Sequence, residues 1–113
     1  MMIKWDNNEI ELEGKKVSFP FDIDHVIAYN ETFLILLNIP ENEDEINNIY
    51  CVDQNGRLLW QSEDLNEVRK GMLNLPYEAM EIKGEYLFAA DFYGRCYKID
   101  PKDGKVLECK LKK

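Results

Sequence analysis

The chain has 113 residues, which is enough for one domain with a hydrophobic core. Hydrophobic residues make up 45% and charged residues 32%, a composition too apolar and too aromatic for a disordered chain. The formal net charge of −8 excludes the basic character typical of proteins that bind nucleic acid or anionic membranes.

The net negative charge lies in the first half of the chain. Residues 1–56 contain twelve acidic and three basic residues, whereas residues 57–113 contain ten acidic and eleven basic residues. This asymmetry favours a cationic partner. The absence of a long apolar segment and the three cysteines without metal-type spacing predict a cytoplasmic protein with reduced thiols.

Residues 1–21 are predicted to form a three-stranded meander. Two-residue turns at Asn7-Asn8 and Gly14-Lys15 place Trp5 opposite Ile10 and Leu12 opposite Val17. One face of this sheet is then wholly apolar, as expected of a sheet that is covered on one side. Its residues are Ile3, Trp5, Ile10, Leu12, Val17 and Phe19.

Residues 25–61 are predicted to form a four-stranded unit around a central strand. The segment 32–37 has no polar alternation and must be covered on both faces. Residues 25–29 and 48–53 supply its neighbours, and residues 57–60 complete the unit after the turn 54–56.

Residues 76–112 repeat the same order of strands. The pair 78–82 and 85–91 follows the first pair at an offset of 53 residues, and 95–100 follows 48–53 at an offset of 47. The difference comes from a longer loop in the first unit, where residues 39–45 stand in place of the tight turn 92–94. Repeats of this length are supersecondary units that bury their faces against neighbours.

The segment between the units, residues 62–72, is compatible with a short helix or a loop. Asp64 and Glu67 have capping-box spacing, and Leu65, Val68 and Met72 share one helical side.

One turn resembles the repeat of pyrroloquinoline-quinone-type β-propellers, and it has the sequence Asp100-Pro101-Lys102-Asp103-Gly104-Lys105. The segment from Asp53 to Trp60 resembles the same repeat and is one residue shorter. The resemblance implies two blade-like sheets, and Glu108 departs from it by replacing the tryptophan that Trp60 provides in the first copy. Two units are too few to close a propeller. The expected fold is therefore a single all-β domain over residues 1–113, with ten to eleven antiparallel strands in an open or folded-over arrangement, or closed by a homo-oligomer. No quinone site is recognisable, and we expect no cofactor.

Alternation predicts that most aromatic side chains lie in the core. These residues are Trp5, Phe19, Phe33, Trp60, Tyr86 and Phe88. Tyr93, in the tight turn, is expected to be exposed and is a candidate binding anchor, although a packed turn is an equal alternative.

The second candidate binding feature is the acidic loop, with the residues Glu41, Glu43, Asp44 and Glu45. A solvated loop tip and an electrostatic contact for a basic partner are both consistent with such a cluster. His25 with Asp22 and Asp24 could ligate a metal, but a solvated strand entry explains these residues more simply.

Three functions are compatible with these features. The first is a non-enzymatic protein-binding module, such as the immunity protein of a bacterial toxin, which this chain is similar to in its small size, acidity and lack of catalytic signals. The second is a small-molecule or sugar-sensing domain, and the third is a metal-assisted hydrolase built around His25. We expect the first, with a basic protein as partner.

Overall fold

The computed structural model describes residues 3–111 and confirms the all-β class. Eleven strands and one short helix occur within these residues. They are β1 (Lys4–Asp6), β2 (Glu9–Leu12), β3 (Lys15–Ser18), β4 (Ile23–Tyr29), β5 (Thr32–Leu37), β6 (Ile49–Asp53), β7 (Leu58–Gln61), α1 (Leu65–Val68), β8 (Tyr77–Lys83), β9 (Tyr86–Asp91), β10 (Arg95–Ile99) and β11 (Val106–Leu111).

The strands form three antiparallel sheets. The N-terminal sheet contains β1–β3, the middle sheet β4–β7 and the C-terminal sheet β8–β11, each with its strands in chain order. None of the three sheets is closed into a barrel. The expected ten to eleven strands and their division into one three-stranded and two four-stranded sheets are thus present.

The N-terminal sheet has the predicted faces but not the predicted second turn. Trp5 pairs with Ile10 as expected, whereas Val17 pairs with Ile10 and not with Leu12. The turn lies at Glu13-Gly14, where both residues have positive φ angles of 51° and 81°. The resulting shift is two residues, and since side chains alternate with period two, the apolar face is preserved.

The middle sheet is buried on both faces, as its uninterrupted apolar strand predicts. Phe33 and Ile35 pack into one core with the N-terminal sheet, and Leu34 and Leu36 pack into another with the C-terminal sheet. The three sheets are therefore stacked, and the middle sheet belongs to both cores.

The repeat between the middle and C-terminal sheets is present with one correction. Asp53 and Asp100 are equivalent, as the predicted offset of 47 requires. The first hairpin of each sheet shows a different offset from the one predicted. The pair Tyr29–Thr32 closes this hairpin in the middle sheet and the pair Lys83–Tyr86 closes it in the C-terminal sheet, which gives an offset of 54. The offset of 53 was wrong because the first hairpin turns at residues 30–31 and the second at residues 84–85.

The N-terminal and middle sheets each insert a side chain against a glycine of the sheet that follows. A Cβ atom on Gly56 of the middle sheet would lie 2.6 Å from Val17, and one on Gly104 of the C-terminal sheet would lie 2.5 Å from the Trp60 ring. Trp60 also donates a hydrogen bond from Nε1 to the Pro101 carbonyl at 3.1 Å. These contacts fix how the sheets stack.

Two further sequence predictions are resolved by the structure. The segment 62–72 contains a helix of only one turn, with Asp64 as its N-cap, and Met72 lies beyond its end. The expected core positions of Trp5 and Tyr86 were wrong, since both side chains are exposed. Trp5 lies on a sheet edge that pairs only with β2. Tyr86 lies on the outer face of the C-terminal sheet, where Lys98 Nζ is 4.1 Å from its ring centroid.

Candidate functional site

The acidic loop and the turn that holds Tyr93 meet at one groove, although about fifty residues separate them in the sequence. The loop follows β5, the turn follows β9, and residues 74–76 precede β8 at the same end of the stack. They enclose a cavity of about 540 Å³, which we call the acidic–aromatic groove. Its lining is Ile39, Pro40, Glu41, Glu43, Asp44, Ile46, Asn74, Leu75, Pro76, Glu78, Phe92 and Tyr93.

The buried side chain of Asn48 holds the base of the acidic loop. Its Nδ2 donates to the carbonyls of Leu37 and Tyr77 at 2.7 and 2.8 Å, and its Oδ1 accepts from the Tyr77 N–H at 2.9 Å. Asn48 thus connects the middle sheet with the first residue of β8, immediately after Pro76 in the groove wall. All three contacts are with backbone groups, so Asn48 ties the backbone on the two sides of the groove together.

A second asparagine connects the loop to the short helix. The Asn47 side chain donates to Asp64 Oδ1 and accepts from the Leu65 N–H, both at 3.1 Å. Gln61 donates to the Asn47 carbonyl at 2.7 Å. The acidic residues therefore sit on a loop whose base is hydrogen-bonded to both neighbouring segments.

Glu45 serves the loop itself and does not line the groove. Its Oε1 accepts from the N–H groups of Ile46 and Asn47, both at 2.9 Å. Burial and, to a smaller extent, the Glu45 charge raise the pKa of Tyr50. The predicted binding set Glu41, Glu43, Asp44 and Glu45 is therefore divided, and only its first three members face the groove.

The aromatic turn is organised by Asp91. Its Oδ1 accepts from the N–H groups of Tyr93 and Arg95 at 3.0 Å, and its Oδ2 accepts from Arg95 Nε at 2.6 Å. The side chains of Asp91 and Arg95 are 0% and 9% exposed, so this is a buried ion pair. The pair gives a rigid base to the two aromatic residues at the turn.

The same arrangement occurs at the other end of the stack. Asp53 accepts from the N–H groups of Asn55 and Arg57 and from Arg57 Nε, in the same order of residues. The two segments share the sequence Asp-x-x-Gly-Arg, a signal that sequence reasoning did not use. Arg57 is 79% exposed, so only the Asp91–Arg95 pair is buried.

Phe92 and Tyr93 present large apolar surfaces at the rim of the groove. Phe92 is 77% exposed and Tyr93 is 63% exposed, with ring centroids 5.9 Å apart. The Arg95 guanidinium lies 5.6 Å from the Tyr93 centroid and supports that ring. The expected exposure of Tyr93 is confirmed, and Phe92, which lies beside it, is a rim residue that the sequence reasoning missed.

The electrostatic character of the groove is uniformly acidic. Among the described residues, its lining contains four carboxylates, from Glu41, Glu43, Asp44 and Glu78, and no basic side chain. None of the four takes part in an ion pair within residues 3–111. Glu78 had no sequence signal, because its position depends on how the sheets stack.

The remaining chemical candidates are the metal ligands suggested around His25 and the thiol of Cys51. Within residues 3–111, no group of three or more His, Cys, Asp or Glu side chains is placed to hold a metal ion, and His25 is exposed on β4. Cys51 is buried, and burial raises the pKa of its thiol, which makes it a weak nucleophile at neutral pH. No helix in the described part of the chain has the length and apolar character to cross a membrane.

Comparison with known proteins identifies one family. The family model described as Domain of unknown function (DUF7957) matches residues 1–111. No curated protein matches the chain.

Proposed function

This chain belongs to the DUF7957 family, and we propose that it is a non-enzymatic protein-binding module whose acidic–aromatic groove receives a basic surface of its partner. The observation that carries the proposal is the meeting of the acidic loop and the Phe92–Tyr93 turn at one cavity. Each segment alone has an ordinary explanation as a solvated loop or a turn. Their combination around one groove is typical of a binding surface.

The two kinds of residue have separate roles in this proposal. Phe92 and Tyr93 supply rigid apolar area that a partner can cover, and aromatic anchors of this kind each contribute on the order of 2 kcal/mol or more to binding. The carboxylates of Glu41, Glu43 and Asp44 lie at the rim, where charges accelerate encounter more than they add affinity. The buried Asp91–Arg95 pair and the Asn48 contacts keep both sets in position, which lowers the entropy cost of binding.

The most concrete form of the proposal is an antagonist of a basic toxin. Proteins that cleave nucleic acid carry cationic surfaces for phosphates, and an acidic groove complements such a surface. The net charge of −8 extends this attraction beyond the groove.

The second candidate function is small-molecule or sugar sensing. The groove volume of about 540 Å³ is compatible with this function, because ligand pockets generally measure about 300–1,000 Å³. A small-molecule site would use the cavity but would not require the exposed outer surfaces of Phe92 and Tyr93.

An affinity-capture experiment at low ionic strength tests the proposal. The bait is the wild-type chain, and the test variant combines Glu41→Lys, Glu43→Lys and Asp44→Lys. The matched control combines Glu13→Lys, Glu31→Lys and Glu85→Lys, which changes the charge equally at exposed turns on the opposite end of the stack. We expect the wild type and the control to retain the same basic protein and the groove variant to lose it.

Two outcomes would count against protein binding through the groove. Equal loss in both variants would show that only net charge matters. Failure of the wild type to retain any protein, together with thermal stabilisation by one member of a sugar or metabolite panel, would favour the sensing function.

A further inference from the structure

The N-terminal sheet ends at a strand that lacks the neighbour its counterparts have. The contact of Val17 in β3 with Gly56 repeats the contact of Trp60 in β7 with Gly104, so β3 corresponds to the last strand of the middle sheet. In chain order, β1–β3 then correspond to β5–β7 and, through the repeat of the two four-stranded sheets, to β9–β11. The counterparts of β1 are β5 and β9, and each of these pairs with a strand on both sides. Within the described part of the chain β1 pairs only with β2, and its three residues are all exposed.

The apolar face of the sheet continues to this free edge. Trp5 lies across from Ile10, which is fully buried, yet Trp5 itself is 44% exposed. A cavity of about 590 Å³ lies beside β1, and its lining combines Ile3, Trp5 and Ile10 with the charged residues Lys4, Asp6, Glu9, Glu11 and Lys16. An edge strand with free N–H and C=O groups beside an exposed tryptophan is a site for pairing with another strand.

The charges on β1 identify the strand that fits. Lys4 and Asp6 flank Trp5 symmetrically, so an antiparallel pair of two identical β1 strands centred on Trp5 places Lys4 of each copy opposite Asp6 of the other. Both cross-strand pairs are then oppositely charged, and the two Trp5 side chains cover each other.

The pairing of β1 with β2 places Asp6 beside another carboxylate, and a second copy of β1 would compensate this repulsion. Lys4 already faces Glu11, but Asp6 faces Glu9, a like-charged pair on the same sheet face. In the paired arrangement, Lys4 of the second copy stands on the other side of Asp6. We propose that β1 joins two copies of this chain through a twofold axis at Trp5, so that their N-terminal sheets form one six-stranded sheet.

Charge exchange on β1 tests the proposal. Sedimentation velocity over a wide concentration range compares the wild type, Lys4→Asp, Asp6→Lys and the double variant with both changes. Each single variant places two like-charged pairs across the axis and should raise the dimer dissociation constant about tenfold. The double variant restores opposite charges at both pairs and should return the dissociation constant to within about threefold of the wild type.

Mixing the two single variants gives a second and independent readout. In the Lys4→Asp variant both residues that flank Trp5 are acidic, and in the Asp6→Lys variant both are basic. Both cross-strand pairs in the mixed dimer are therefore oppositely charged, and the mixture should associate more strongly than either variant alone. A wild type that stays monomeric at every concentration, association that is equal in all four proteins, or a mixture that behaves as its separate components would each overturn the proposal.

Discussion

Trp60 packs against the backbone of Gly104 so closely that no side chain fits between them. A Cβ atom at position 104 would lie 2.5 Å from Cε3 of the indole. The indole N–H donates to the Pro101 carbonyl of the same turn, so the contact is both apolar and hydrogen-bonded. Because Trp60 belongs to β7 and Gly104 to the turn before β11, this pair fixes the stacking of the middle and C-terminal sheets on which the groove depends.

Substitution of Gly104 by alanine should therefore destabilise the protein strongly. The matched control is Gly84→Ala, because Gly84 also has a positive φ angle but a Cβ atom added there would have no neighbour within 4 Å. The control should lose about 1–2 kcal/mol from backbone strain alone. Gly104→Ala should lose a further ~1–3 kcal/mol from the clash with Trp60. Urea denaturation measures both, and equal losses would show that the Trp60 contact is unimportant.

The two Asp-x-x-Gly-Arg turns predict unequal effects of the same substitution. Asp91→Asn leaves the buried Arg95 guanidinium without its charge partner and should lower the free energy of unfolding by about 3–5 kcal/mol. Asp53→Asn changes the same contacts at a turn where Arg57 is exposed, and should cost much less. Thermal denaturation of both variants provides the comparison. A loss at Asp53 as large as the loss at Asp91 would refute the role of burial.

Asp53 should contribute to the pH dependence of stability in a defined direction. Hydrogen bonding by the backbone N–H of Arg57, with smaller contributions from its guanidinium and from the Asn55 N–H, lowers the pKa of Asp53. A carboxyl group whose pKa is lowered by folding stabilises the folded state above its unfolded-state pKa of about 3.9. That contribution is lost as the pH falls through the folded-state pKa.

The measurable consequence is the difference in unfolding free energy between the wild type and Asp53→Asn. It should be constant near neutral pH and should shrink as the solution is acidified below pH ~4. A difference that grows on acidification would contradict the assignment.

Two contacting tyrosines predict opposite results for removal of a hydroxyl group. Tyr77 and Tyr97 are both buried with ring centroids 5.4 Å apart. Tyr97 Oη accepts from Arg69 at 2.8 Å, whereas Tyr77 Oη has no partner among the described residues. Tyr97→Phe should therefore cost about 1–3 kcal/mol, and Tyr77→Phe should be neutral or stabilising. Guanidinium titration of the two variants checks the order, and a larger loss for Tyr77→Phe would contradict it.

Tyr77 should also affect how the free energy of unfolding changes at alkaline pH. Burial, followed by the neighbouring Tyr97, raises the pKa of Tyr77. A group whose pKa is raised by folding stabilises the folded state fully below its unfolded-state pKa of about 10, and this contribution is lost as the pH rises toward the folded-state pKa. Stability should thus fall less steeply above pH ~10 in Tyr77→Phe than in the wild type.

The strands were predictable because their pattern is local. The uninterrupted apolar segment 32–37 indicated a strand buried on both faces, and the repeat of residues 25–61 in 76–112 indicated a second sheet of the same kind. The second turn was placed one residue too late, because a non-glycine residue with positive φ, Glu13, is not favoured by its own chemistry. The alternation of apolar and polar residues also could not show that Trp5 lies at an uncovered edge. This pattern indicates on which face of a sheet a side chain lies, but not whether its strand has a neighbour on both sides.

The candidate site was predictable only in part. Composition indicated the acidic loop, and turn chemistry indicated the exposure of Tyr93. Their meeting depends on contacts between sheets, such as Asn48 with β8, that leave no local pattern in the sequence. Glu78 enters the groove for the same reason, while the carboxylate of Glu45 is used by the backbone of its own loop.

The central claim is that the groove receives a basic partner, and the association rate constant of the captured protein tests it most directly. Stopped-flow measurements at low ionic strength would compare the wild type with the Glu41→Lys, Glu43→Lys, Asp44→Lys variant and with the control reversed at Glu13, Glu31 and Glu85. We expect the groove variant to associate at least ~10-fold more slowly and the control to remain within about threefold of the wild type. Equal rate constants for the groove variant and the wild type would contradict the claim.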